Sequence, residues 1–254
     1  MWVVFMVASL RSVSGGRLAD PVEFEVGFVG EDGSEVRRRL VEVADVPFER
    51  VPAVRSFPSY RGQRNYPGLY WSACMSAHVE FESWLERDEA MALDFDASVV
   101  GFAAQPFWLW WPSTGRVRSH APDFFARRRD GVGVVVDCRP ADRIAARDAA
   151  AFAATAQACE WVGWDYRLVS GHDAVWLANV RWLAGYRHPR HLAEPVAQRL
   201  LDLFASPMPL MQAATRVGDP MAVLPVLFHL LWSQLLTVDM AVRLEATSIV
   251  EAGW

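Results

Sequence analysis

Residues 120–141 read HAPDFFARRRDGVGVVVDCRPA, and the fold turns on how this stretch is parsed. Ala121 to Ala126 and Val132 to Cys138 are rich in aromatic and β-branched residues, and Asp130-Gly131 between them suits a tight turn, so two strands are predicted. Asp123 follows Pro122 at the head of the first strand. Asp137 closes the second after thirteen intervening residues, and the two-residue period of a strand puts Asp137 and Arg139 on one sheet face. The pattern is Pro-Asp followed by Asp-x-Arg.

Working outward, Val99 to Trp111 is a long apolar run that reads as a further strand. Before it, Ala77 to about Leu93 has helical period, with Phe81, Trp84, Leu85, Met91 and Ala92 on one arc and Glu82, Glu86 and Glu89 opposite. After Cys138, the alanine-rich Ala141–Cys159 reads as a second helix, and Tyr166–Val169 as a short strand beyond Gly163. The order is helix, three strands, helix, strand.

Toward the N-terminus, alternating positions such as Val22, Phe24 and Val26, with Asp32-Gly33 between two such runs, predict a hairpin. A stretch rich in proline, arginine and aromatics, PAVRSFPSYRGQRNYPGLYW, follows as an ordered loop carrying Arg55, Arg61 and Arg64. Toward the C-terminus, helices are expected over Leu192–Phe204, Leu210–Val217 and Met221–Leu236, then a β-branched stretch through Thr237 to Val250. Three helices followed by a wing make a winged-helix-like domain. The expected division is therefore 1–70 for the β element and loop, 71–172 for an α/β unit with a mixed sheet flanked by helices, and 173–254 for the helical domain.

The chain's 254 residues carry a net charge of −5, and all 25 of its basic residues other than histidine are arginine. Residues 55–147 hold 12 arginines against 11 carboxylates, a balance of +1, whereas the segments before and after it are each −3. The basic run Arg127-Arg128-Arg129 therefore sits beside a carboxylate cluster, the two signs that a metal-dependent phosphodiesterase needs. Three cysteines without CxxC spacing exclude a zinc ribbon and a disulfide framework, which fits a reducing cytoplasm. The apolar opening Met1–Leu10 lacks a preceding basic residue and is too short to span a bilayer, so no membrane association is expected. Ser170-Gly171-His172-Asp173 holds triad residue types but no nucleophile elbow, and reads as a turn.

Phosphodiester hydrolysis calls for a hard cation held by carboxylates beside the scissile phosphate. Asp123 and Asp137 can hold it, and the helix offers a third ligand among Glu82, Glu86 and Glu89. Arg139, two residues beyond Asp137, keeps its proton and acts only through charge and hydrogen bonding.

The stretch ESWLERDEAMALDFDASVVGFAAQPFWLW (82–110) together with 120–141 resembles the catalytic region of TnsA-like endonuclease subunits of heteromeric transposases, members of the PD-(D/E)xK nuclease superfamily. The tail Gly218-Asp-Pro through Leu224–Trp232 resembles the C-terminal domain of the same subunits. The resemblance implies a restriction-endonuclease-like fold and places Glu86, Asp123 and Asp137 as Mg²⁺ ligands, with Mn²⁺ as a substitute. Arg139 falls at the position usually held by lysine, and Glu82 and Gln105 are second-tier candidates. It further implies cleavage at the 5′ ends of a transposon, double-stranded DNA contacted by Arg61, Arg64 and Arg127–Arg129, and work alongside a DDE transposase and an AAA+ ATPase regulator in the bacterial cytoplasm, at the nucleoid when acting. Two alternatives stay open: a catalytically silent DNA-binding or adaptor subunit, and a standalone restriction or repair endonuclease.

Overall fold

The computed structural model of the chain describes residues 23–30, 32–55, 66–113 and 115–253. Its centre is a four-stranded mixed sheet built from β5 (Val99–Ala104), β8 (Phe124–Arg128), β9 (Gly133–Cys138) and β10 (Asp165–Val169), in the order β10-β9-β8-β5. β5 with β8 and β8 with β9 pair antiparallel, and β10 runs parallel to β9. A parallel pair needs a crossover, which α2 (Ala146–Val162) supplies. Gly163 ends that helix in the left-handed region, φ 72°, where a side chain is disfavoured.

Both faces of this sheet are buried, and the strand period divides its side chains between two cores. Phe124, Ala126, Val134 and Val136 meet Ala90 and Leu93 of α1 (Trp84–Phe95) and Tyr70, Val79 and Phe81 of the hairpin β3 (Gly68–Ser72) and β4 (Ala77–Phe81). Phe125 and Val135 meet Ala158 and Cys159 of α2, and Phe24, Val26, Phe48, Phe107, Leu109 and Trp164 complete that layer. Each valine, leucine or phenylalanine among them contributes roughly 1.5–3 kcal/mol when fully buried. Gly133 is required by close approach: a Cβ there would lie 2.6 Å from the Phe125 ring and 2.9 Å from Trp164.

The second layer is capped by an antiparallel sheet, β2-β1-β6-β7, formed by β1 (Glu25–Val29), β2 (Glu35–Arg39), β6 (Trp108–Ser113) and β7 (Arg116–His120). The expected N-terminal hairpin is thus present, but it does not stand apart, because β1 pairs with β6 from the middle of the chain. A boundary at 70/71 would cut β3. The apolar run Val99–Trp111 also differs from expectation. It is two strands in two sheets, broken at Gln105, whose φ is +44°, and Pro106.

The helix expected from Ala77 begins later, since Ala77–Phe81 pairs with β3 and Ser83 caps α1 by accepting from the Glu86 amide. Its facing is inverted as well. Trp84 is half exposed, while Glu86, Asp88, Glu89 and Asp94 are buried. Partners account for the inversion. Asp88 accepts from Arg181, and Asp94 accepts from Tyr70 Oη at 2.8 Å, Ser72 Oγ at 2.8 Å and the amides of Ala73 and Cys74 at 2.9 Å.

The C-terminal part packs α3 (Ala174–Ala184), α4 (Glu194–Leu203), α5 (Leu210–Val217) and α6 (Pro220–Trp232) into a third core with Met91 and Phe95 of α1. β11 (Met208–Pro209), β12 (Leu236–Val238) and β13 (Ile249–Ala252) form a small sheet in the order β11-β13-β12. The architecture is mixed α/β. Helix α3 was not anticipated, although Asp173 caps it by accepting from the amides of Val175 and Trp176. Among the described residues no helix is long and apolar enough to cross a membrane.

Asp94 fastens the β3–β4 hairpin to α1, and Asp94→Ala leaves two hydroxyls and two amides without their acceptor. It is expected to destabilise by roughly 3–5 kcal/mol, since the two buried hydroxyls cost about 1–3 each and the part-buried amides can turn to water. Thermal melts should show a fall of roughly 6–20 °C at about 2–4 °C per kcal/mol.

Candidate active site

Asp123 sits at the bend entering β8, and its Oδ2 accepts from the Cys138 amide at 2.7 Å, which fixes it beside the end of β9. The residue keeps a partial opening to solvent, but its carboxyl group is packed around by protein. Burial, and then the charges of Asp137 and Glu86, push its pKa well above the usual carboxylate range. Carboxylates from three separate elements therefore bear on one another.

Asp137 is buried, and both its oxygens are engaged: His120 Nε2 lies 2.7 Å from Oδ1, and Tyr166 Oη donates to Oδ2 at 2.8 Å. His120 ends β7, and its ring meets Phe152 of α2 edge-on. Burial and the Asp137 charge push the Tyr166 phenol upward, so it stays a donor. Neither His120 nor Tyr166 is marked by a motif in the sequence. Only the pairing of β6 with β7 and of β9 with β10 brings them to Asp137.

Glu86 closes the N-terminus of α1. Its Oε1 accepts from Ser83 Oγ at 2.8 Å and its Oε2 from the Glu82 amide at 2.7 Å, a reciprocal cap that Ser-x-x-Glu spacing announces. Burial raises its pKa against the lowering effect of those two bonds. Glu82 itself is paired with Arg55, whose Nη2 donates to its Oε2 at 2.8 Å. Glu89, the remaining acidic candidate on this helix, lies 3.0 Å from His172 Nε2.

Gln105 is fully buried, donates its backbone N–H to the Asp123 carbonyl at 2.9 Å and accepts from Arg55 Nε at 2.8 Å. Its Nε2 is buried without a hydrogen-bond partner among the described residues. A left-handed backbone and an unsatisfied amide at one non-glycine residue both cost free energy, and such costs concentrate at functional sites.

Arg139 lies past the end of β9 and is half exposed, its guanidinium 3.8 Å from Asp148 of α2. It shares the α2 side of the sheet with Asp137. The run proposed to contact DNA is largely engaged within the protein: Arg127 donates to Glu49, Val46 and Gly131, Arg128 to Asp165 and Asp130, and Arg129 to the Ala97 carbonyl. Arg61 and Arg64 lie outside the described residues. Among the described residues no three His, Cys, Asp or Glu side chains are spaced as a group that could hold a metal ion. No protein-family model matches the chain, and no curated protein matches it.

The raised Asp123 pKa has a sign. The native state holds the proton more tightly than the unfolded chain, so stability falls as pH rises from the ordinary carboxylate value through the raised one. Asp123→Asn removes that cost and keeps an acceptor for the Cys138 amide. It should raise the melting temperature at neutral pH by a few degrees or more, with the gain vanishing near pH 4; an unchanged or lowered neutral-pH melt would contradict this electrostatic picture.

Proposed function

We propose that the chain is a metal-dependent DNA endonuclease subunit of a heteromeric transposase, hydrolysing phosphodiesters at the 5′ ends of a transposon. The observation that carries this reading is the convergence on Asp123, a desolvated carboxylate strained by Glu86 on one side and Asp137 on the other. Like charges held together in a low-dielectric setting are relieved by a proton or by a cation. The succession α1, β5, β8, β9, α2, β10, with β6 and β7 inserted between β5 and β8, supports a restriction-endonuclease-like unit. The order α4, β11, α5, α6, β12, β13 supports a winged-helix-like domain.

Carboxylate oxygens are the donors a hard divalent ion takes, so the chemistry of the set fits Mg²⁺, with Mn²⁺ as a substitute. Glu86, Asp123 and Asp137 would hold it once drawn closer together, since among the described residues no three such groups are spaced to share an ion as they stand. Bound there, it supplies Lewis-acid stabilisation of the charge that develops on the phosphate. The chain's own contribution is preorganisation: the α1 cap fixes Glu86, the Cys138 amide fixes Asp123, and His120 with Tyr166 fixes Asp137.

One observation favours a second reading, a catalytically silent adaptor that holds DNA or the transposase. Each of the three carboxylates already accepts hydrogen bonds from the protein, which satisfies them without metal.

The discriminating experiment is 5′-strand nicking of a transposon-end duplex in Mg²⁺ or Mn²⁺, with the DDE transposase and ATPase partners present. Wild type should nick, and Asp123→Ala should lose roughly a hundredfold or more, the scale of removing one preorganised group. Nicking retained by Asp123→Ala removes the site assignment. Absent nicking by wild type in an assembled complex, with no Mn²⁺ binding by calorimetry, selects the adaptor.

A further inference from the structure

We propose that Arg55 supplies the cation of this site and binds the scissile phosphodiester, in the place where a lysine-free chain has only Arg139 to offer two residues after Asp137. The inference rests on the nuclease reading above and names the group that meets the substrate's charge.

The geometry assigns the part to Arg55 in three ways. Its guanidinium is held at two points, by Gln105 Oε1 at 2.8 Å and Glu82 Oε2 at 2.8 Å, and both holders are tied to the site. The Gln105 amide nitrogen donates to the Asp123 carbonyl, and the Glu82 amide donates to Glu86. The Arg55 side chain is 41% exposed, so a planar, permanently charged fork is fixed beside the carboxylates and reaches solvent.

Electrostatics point the same way. Through Glu82 and Gln105 the Arg55 guanidinium is tied to Glu86 and Asp123, whereas Arg139 lies 3.8 Å from Asp148 on α2. A cation that reaches two of the three carboxylates is placed to offset the repulsion between them and an incoming phosphate. Gln105 adds a second reason. Because Arg55 Nε donates to its oxygen, the amide's orientation is set, and the buried Nε2 is the unpaired end. A residue kept in a left-handed conformation with a stranded donor is explained if its oxygen is needed to aim Arg55.

The sequence signal was indirect. Arg55 opens the proline- and aromatic-rich stretch, distant from Asp123 in the chain, and comes to the site because the Val54 amide donates to the Gln105 carbonyl.

The test compares wild type, Arg55→Gln, Arg55→Lys and Arg139→Gln in the partner-complete nicking assay, with Arg243→Gln as an exposed control far along the chain. Transposon-end binding in Ca²⁺ is measured in parallel by fluorescence anisotropy, and Mn²⁺ binding by calorimetry. Arg55→Gln should lower kcat roughly a hundredfold, on the scale of one lost charge-stabilising donor, and weaken duplex binding, while Mn²⁺ affinity holds or rises because a neighbouring positive charge is gone. Arg55→Lys should recover part of the rate, which shows the loss to be one of charge rather than of folding, and Arg139→Gln should lose less than Arg55→Gln. Wild-type cleavage with Arg55→Gln unaffected, or a loss confined to Arg139→Gln, overturns the inference and leaves the nuclease reading standing. No cleavage by wild type removes both.

Discussion

The burial of β9 on both faces is the constraint from which the rest of the structure follows. Val134 and Val136 need an apolar layer on one side and Val135 needs another, so the strand draws α1 and the β3–β4 hairpin to one face and α2 with the β1–β6 sheet to the other. Asp137 continues the same alternation. As a buried charge it must be hydrogen-bonded, and it gathers His120 from β7 and Tyr166 from β10, linking the two sheets at the end where Asp123 stands.

Helix α1 shows how acidic residues are accommodated inside such a fold. Asp88 is matched by Arg181 of α3, Asp94 by four donors of the β3–β4 hairpin, and Glu86 by its own N-terminal cap. Those carboxylates act as fasteners between layers, and α1 therefore joins the central sheet to the C-terminal core through Met91 and Phe95. Asp123 is different in kind. It has one amide donor, two carboxylate neighbours and a proton affinity raised well above the ordinary range, so its placement works against stability, as the burial of Glu86 does too, whereas Asp88 and Asp94 are matched by their donors. Such conflicts between placement and stability concentrate at functional sites.

Much of the central sheet was legible. The Asp130-Gly131 turn, the β-branched run before Asp137 and the alanine-rich segment ending at Gly163 each carry a local signal. β8, β9 and β10 lie within a few residues of their readings, and α2 is present but starts at Ala146 rather than Ala141. The readings that failed were those that depended on a partner. The carboxylates of α1 look like a solvated arc because periodicity records spacing and not the arginine, tyrosine and amide groups that meet them. Arg127–Arg129 read as a basic run beside carboxylates, and only the fold shows that Glu49, Asp165 and the carbonyls of Val46 and Ala97 are what they bond to within the protein.

By itself the sequence determined the secondary-structure order around residues 120–141, the two aspartates at the strand ends and the absence of any lysine, which leaves arginine to carry every fixed positive side-chain charge. Those are properties of local period, turn chemistry and composition. Only the tertiary structure decided that Asp137 is clasped by His120 and Tyr166, that Glu86 is also a helix cap, and that Arg55 pairs with Glu82 and Gln105 while Arg139 turns to Asp148. The physical reason is that each of these facts is a contact between residues distant in the chain, set by which strands pair and which layers pack, and a one-dimensional pattern carries no record of what lies across a sheet.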